Sequence, residues 1–355
     1  RPKVEVVFVL DTTGSMGGLI EAAKQKIWAI ANTLVEAKTA PEIQFGLVGY
    51  RDRGDAYITQ VTPLSDDIDD VYTVLMAFQA GGGGDGPESV NQALHEAIHK
   101  INWTPGDHVY RVIYLVGDAP PHMDYDDDIS YRKSCEVAAS RGIFVNTIQC
   151  GSMAETAPIW KEIAQMAEGQ YAQIEQSGGA IVQESPFDKG IAEKSKLMDA
   201  TRLYYGDASA AQLQQVKLKK GMQIYGCASA VSVAQRAAFN CTSSGMCNFA
   251  GFQELVTDFT TGKVELAEIK KEDLPEALRK MSVADLEKHL KAKNSERKEF
   301  QKQIVELSKK RQQWIKDELS RRGEDQPKLD GIIYDSIKTQ AARRGIQYDA
   351  VEAKL

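Results

Sequence analysis

The 355-residue chain is poor in cysteine: there are five, Cys135, Cys150, Cys227, Cys241 and Cys247. No two are spaced C-x₂-C, which argues against a zinc ribbon. No stretch approaches the roughly 18 consecutive apolar residues of a transmembrane span. Positive charge is not in excess either. Lys and Arg total 43 against 50 Asp and Glu, a formal net charge of −7. That balance gives no electrostatic case for a nucleic-acid partner. No Gly-Lys-Ser/Thr follows any glycine-rich stretch, so a nucleotide P-loop is not expected. Cys241 and Cys247 bracket the turn-like Thr-Ser-Ser-Gly-Met and are candidates for a small disulfide loop. The odd count leaves one thiol over. This usage points to an oxidising setting, periplasmic or secreted, with the cytoplasm as the alternative. The chain begins at Arg1 rather than Met, as expected of a processed or trimmed form, and a removed signal peptide is compatible with it.

What is present is ordinary for a folded soluble chain: 43% hydrophobic and 26% charged residues. The length suits two domains or one large one, with ample core. The stretch around which the rest is organised is Asp11-Thr12-Thr13-Gly14-Ser15-Met16. It ends an almost uninterrupted apolar run, Val4 to Leu10, of the kind that forms a strand buried on both faces. A helical stripe follows, with Ile20, Ala23, Ile27, Ile30, Ala31 and Leu34. In open α/β sheets, ligands sit where strands end and helices begin. One carboxylate, Asp11, and two hydroxyls, Thr13 and Ser15, suit a hard cation such as Mg²⁺ that keeps places open for water or ligand. The plainer reading of the same residues is a helix N-terminus capped by Thr13 or Ser15.

Further strands are expected at 43–50, 57–61, 112–116, 143–148 and 171–174. Pro63 is expected to end the third, and the short connection between the second and third predicts an antiparallel hairpin. Helical stripes lie between the others, for example Ile68, Val71, Leu75 and Phe78. The alternation predicts an α/β domain, a doubly wound and mostly parallel sheet with helices on both faces, over 1–203. Its last helix would run from about Asp188 to Leu203.

Two more loops carry chemistry. Gly81-Gly82-Gly83-Gly84-Asp85-Gly86-Pro87-Glu88 opens a helix, with Pro87 at its first position and Glu88 at its positive end. Val112–Val116 ends in Gly117-Asp118, a second carboxylate at the tip of a central strand. The D-x-[ST]-x-S motif, in this order with the other two loops, resembles the metal-ion-dependent adhesion site (MIDAS) of von Willebrand factor A (VWA) domains. The resemblance covers roughly the first half of the chain. It implies a Rossmann-like fold and a divalent cation, Mg²⁺ with Ca²⁺ or Mn²⁺ as alternatives. It implies metal-site roles for Asp11, Thr13, Ser15, Asp85 and Asp118. Asp85 stands where the family usually has Thr, which adds a charge. The resemblance further implies a protein partner that offers a carboxylate to the metal, in adhesion or complex assembly, and no catalytic residues.

Competing readings attach to other segments. His95-Glu96-Ala97-Ile98-His99 matches H-E-x-x-H and would support zinc-dependent hydrolysis. However, the apolar stripe Val90, Leu94, Ala97, Ile98 and Ile101 leaves both histidines to one side, with no clear third ligand downstream. Assembly with an ATPase is a third possibility, implied by intracellular VWA domains. Asp124, Asp126, Asp127 and Asp128 read as a solvated lead-in to a helix. Residues 204–355 are expected to form a mainly helical domain with no legible task. It would include a small hairpin over 213–225 turning at Lys219-Lys220-Gly221, a segment of open state at 228–238, and a helical hairpin over 273–314. Lys293, Arg297 and Arg311 interrupt the apolar seam of that last segment. A final helix is expected over 332–342.

Overall fold

The computed structural model describes residues 1–84, 86–177, 183–322 and 329–348. They fall into two compact units, one from Arg1–Val182 and Glu324–Leu355, the other from Gln183–Gly323. The first unit runs β1 (Lys3–Asp11), α1 (Gly17–Leu34), β2 (Glu42–Tyr50), β3 (Thr59–Ser65), α2 (Ile68–Ala77), α3 (Val90–His99), β4 (Val109–Gly117), α4 (Tyr131–Ser140), β5 (Ile143–Cys150), α5 (Thr156–Met166) and β6 (Tyr171–Ile174). The sheet order is β3-β2-β1-β4-β5-β6. All neighbours are parallel except β2 and β3. The chain leaves β1 for β2 on one side and later reaches β4 on the other. The strand order therefore reverses between β1 and β4, which opens a crevice at their carboxyl ends.

β1 shows no polar alternation because both its faces are covered. Val7 and Val9 share a core with Ile113, Leu115, Leu94 of α3, Cys135 of α4 and Trp160 of α5. Phe8 faces the other way and stacks on Phe45 and Tyr114 at 6.1 and 5.7 Å between centroids. β3 is longer than expected, because Pro63 lies inside it rather than ending it. An edge strand tolerates a residue that cannot donate to the ladder, and the β2–β3 register shifts by one residue there.

The second unit is helical: α6 (Asp188–Asp199), α7 (Ala208–Cys227), α8 (Ala230–Asn240), α9 (Met246–Ala250), α10 (Leu255–Thr260) and α11 (Val283–Arg322). The expected hairpin at 213–225 is instead the body of α7. Asp207 caps it by accepting from the backbone N–H groups of Ser209 and Ala210, and Lys219-Lys220-Gly221 continues the helix. Nor is 273–314 a helical hairpin. α11 is one helix of 40 residues, about 60 Å long. Of the three basic residues that interrupt its seam, Lys293 pairs locally with Glu296 at 2.8 Å, while the two arginines dock the helix. Arg297 forks onto Glu254 through two bonds of 2.9 and 3.0 Å, and Arg311 donates to Asp188 at 2.6 Å. All four are buried. The Cys241–Cys247 disulfide is not formed. Gly245 folds back against the Phe239 carbonyl to start α9, leaving Cys241 half-buried and Cys247 exposed.

The expected boundary at 203/204 moves in both directions. α6 packs its Ile191 and Met198 with Ala234, Ala237 and Ile304 of the second unit. Conversely α12 (Leu329–Ala341) belongs to the first unit. Its Ile333, Ile337 and Ala341 are buried. Its polar residues meet the hydroxyls of the sheet: Tyr114 bonds Ser336 at 2.7 Å and donates to the Ile333 carbonyl at 3.1 Å. Tyr110 donates to Gln340 at 2.7 Å. No described helix is long and apolar enough to cross a membrane.

Candidate metal centre

The crevice between the ends of β1 and β4 is built from three loops that the backbone ties together. The Thr12 carbonyl accepts from Gly81 N–H at 3.1 Å, and Gly14 N–H donates to the Gly82 carbonyl at 3.2 Å. Gly82 and Gly83 hold φ of +77° and +78°, the left-handed region that glycine occupies without strain. The third loop joins through Glu88, whose N–H donates to the Pro120 carbonyl at 2.9 Å and whose carbonyl accepts from His122 N–H at 3.0 Å. Gly117 is small for a reason: a Cβ there would stand 2.5 Å from the Tyr50 hydroxyl and 2.9 Å from Asp11 Cβ.

At the centre, Asp11 is 0% exposed. Its Oδ1 accepts from Thr13 N–H at 2.8 Å and from Thr13 Oγ1 at 2.6 Å. Its Oδ2 is buried and has no hydrogen-bond partner among the described residues. Ser15 is exposed, with its Oγ 3.5 Å from Thr13 Oγ1. Asp118 is largely buried and accepts from Gln176 Nε2 at 2.7 Å, while Thr156 holds its backbone carbonyl at 2.7 Å. The structure thus brings Asp11, Thr13, Ser15 and Asp118 to one crevice. Asp85 lies outside the described residues.

Glu88, which the sequence presents only as a partner for the helix dipole, also lies buried in this crevice. It is 4% exposed and its Oε2 is buried without a partner among the described residues. Its place directly after the glycine loop was the available signal. Gln176, which orients Asp118, carried no local signal. It comes from beyond β6, and only the fold brings it in.

Electrostatics mark the crevice as short of positive charge. Burial pushes the Asp11 carboxyl up from 3.8 to about 7; the Thr13 hydrogen bonds pull it down, and Asp118 pushes it up again. Burial raises Glu88 to about 9, helped by Asp11, Asp52, Asp55 and Asp118. Tyr50 is raised by burial and by the charges of Asp11, Glu88 and Asp118. Unpartnered buried carboxylate oxygens are costly unless an ion or water answers them. The donor set, carboxylate and hydroxyl oxygens without sulfur or imidazole, fits a hard cation. Among the described residues no three His, Cys, Asp or Glu side chains gather closely enough to hold an ion unaided. Among the described residues, the hydroxyls of Thr13 and Ser15 complete the oxygen donor set beside the carboxylates.

The H-E-x-x-H segment is arranged differently. His95 and His99 stack on each other at 4.1 Å, and His99 Nδ1 is bonded to the His95 carbonyl. Glu96 is held by Lys100 at 2.8 Å, Thr59 at 2.7 Å and Gln92 at 3.1 Å, so its carboxylate is engaged. In the acidic run, Asp127 and Asp128 pair with Arg53, and Asp124 bonds His122.

The model of the von Willebrand factor A domain matches residues 5–185. The chain belongs to the von Willebrand factor A domain family. The VWA segment resembles a putative ariadne-like RING finger protein of Acanthamoeba polyphaga mimivirus, 22% identical over 195 residues and half of this chain. It also resembles alpha-protein kinase vwkA of Dictyostelium discoideum, 32% identical over 120 residues and 34% of this chain. The match spans 19% of the length of each of these relatives. Among solved structures, proximal thread matrix protein 1 of the mussel byssus, with a zinc-occupied MIDAS motif, is 16% identical with a TM-score of 0.39, covering 49% of this chain and 42% of that one. The SpRpn10 VWA domain is 14% identical with a TM-score of 0.38, covering 50% and 89%.

Proposed function

We propose that the VWA unit is a divalent-cation-dependent protein-binding module and that its task is not catalytic. Asp11, Thr13, Ser15 and Asp118 would hold the ion, with Asp85 as a further ligand and Mg²⁺ as the first candidate. The observation that supports this reading is the buried Oδ2 of Asp11, without a hydrogen-bond partner among the described residues, in the same loop as the exposed Ser15. A cation there answers the buried charge and stays within reach of a partner's carboxylate. Metal and partner would then strengthen each other's binding by the same factor. Glu88, whose proton is held by burial up to about pH 9 in the metal-free crevice, would add negative charge only once a cation draws that proton off.

The test is direct. Mg²⁺ or Mn²⁺ titrated into the metal-free full chain should raise its melting temperature and release heat at one site. Asp11→Ala should abolish both. A cation effect that survives Asp11→Ala, or partner capture indifferent to EDTA, ends the proposal.

A further inference from the structure

A cavity lies at the opposite end of the sheet's central strands. Asp118 follows the last residue of β4, whereas Arg111 sits near its first, on the order of 20 Å away along the strand. The cavity there, of about 710 Å³, is lined by Trp103, Asp107, Arg111, Arg141, Gly142 and Arg344, among others. Three arginines thus share one cavity in a chain that is acidic overall.

Their donors are incompletely used. Arg111 is 5% exposed; its Nη1 donates to the Thr104 carbonyl at 2.5 Å. Its Nε is buried without an acceptor among the described residues. Arg344 donates from Nη2 to the Gly142 carbonyl at 3.3 Å, and its Nε is buried without an acceptor in the same way. Arg141 donates from Nη1 to the Ile98 carbonyl at 3.0 Å.

Capping of helix ends explains part of this. Arg141 and Arg344 each serve a carbonyl at the end of α3 or just past α4, where cations are favoured. Capping does not explain Arg111, nor the two orphaned Nε–H groups. No described carboxylate forms an ion pair with any of the three. Glu5 and Asp107 act on Arg111 from a distance, and Glu5 is already taken by Lys3 at 3.1 Å and by Thr104 N–H. The cations also crowd each other. A Cβ on Gly142 would stand 2.5 Å from Arg344 Nη2 and 3.4 Å from Arg111 Nη2, so both guanidiniums flank one glycine.

We propose that this cavity binds a small molecule bearing phosphate or carboxylate groups, held by the guanidinium groups of Arg111, Arg141 and Arg344 that line it. A planar guanidinium matches either oxyanion through two parallel bonds. The volume falls in the range of small-molecule sites and leaves room beyond a bare ion, with the Trp103 ring as an apolar wall. Arg344 follows α12 and Arg111 lies in β4. A shared anion would therefore pin the C-terminal helix to the sheet and slow hydrogen exchange in α12.

The experiment titrates the full chain, metal-free and at constant ionic strength, with pyrophosphate and separately with citrate, by calorimetry. Saturable one-site binding to either, with Kd below about 1 mM, is expected, weakened about tenfold or more by Arg344→Gln or Arg141→Gln. Tighter pyrophosphate assigns a phosphorylated ligand; tighter citrate assigns a polycarboxylate. Arg344→Lys keeps the charge but removes the fork and reads out the same loss if the Gln variant proves too unstable to purify. No saturable binding of either probe, or binding that none of these substitutions weakens, overturns the site.

Discussion

Asp11 shows how one side chain ties stability to pH. Its carboxyl titrates near 7 in the folded protein against an ordinary 3.8, and Glu88 near 9 against 4.5, with burial the leading cause in both. Both values are raised, so the folded state holds these protons more tightly than the unfolded chain. The stabilisation is complete below the ordinary carboxylate range and is lost as pH rises through the folded values. Metal-free protein should therefore melt at lower temperature at about pH 9 than at about pH 6. Asp11→Asn should flatten the lower part of that decline, and added Mg²⁺ should restore the loss at high pH more than at low pH. Melting curves in EDTA across that range decide it; a wild-type profile identical to that of Asp11→Asn would count against it. Glu254 behaves oppositely. Burial alone would raise it, but the Arg297 fork and the Thr257 hydroxyl hold it below its ordinary value. Its contribution is present above about pH 4.5 and is lost as pH falls further. Arg297→Met, which strands that carboxylate, should cost about 3–5 kcal/mol, read from urea unfolding of the second unit. Adding Glu254→Gln to it should recover part of the loss.

At the scale of elements, the buried parallel strands were the most legible. Val4–Leu10 and Val112–Val116 are apolar on both faces, and few alternatives to a covered parallel sheet accommodate such runs. Polar residues on helices were harder to read. Arg297 and Arg311 looked like interruptions of α11 and are buried ion-pair anchors, because their partners Glu254 and Asp188 lie 43 and 123 positions away. α12 presents the same difficulty, since Ser336 and Gln340 look solvent-facing until Tyr114 and Tyr110 are placed opposite them. Ile333→Ala and Ile337→Ala should each cost about 2–5 kcal/mol in the first unit. Tyr114→Phe should cost about 1 kcal/mol. Denaturant titration measures all three, and a negligible effect of the isoleucine substitutions would refute the docking of α12.

For the whole molecule, two cores imply two responses. A ligand that binds only the folded state stabilises by an amount set by its concentration over Kd, about 2.7 kcal/mol at a hundredfold excess. Mg²⁺ should therefore slow hydrogen exchange in the first unit, most strongly around residues 11–16, 81–88 and 118–122, and leave α7 to α11 unchanged. Uniform protection across both units would contradict this. The sequence by itself determined the alternating strands and helices, the antiparallel edge and the carboxylates at strand tips, since all of these follow from local period and short-range sterics. Only the tertiary structure decided that Glu88 and Gln176 join the crevice, that α6 leaves the first unit while α12 enters it, and that three arginines meet around Gly142. Those outcomes depend on which distant groups satisfy each other's buried charge and hydrogen bonds, and that pairing is written in no single stretch of chain.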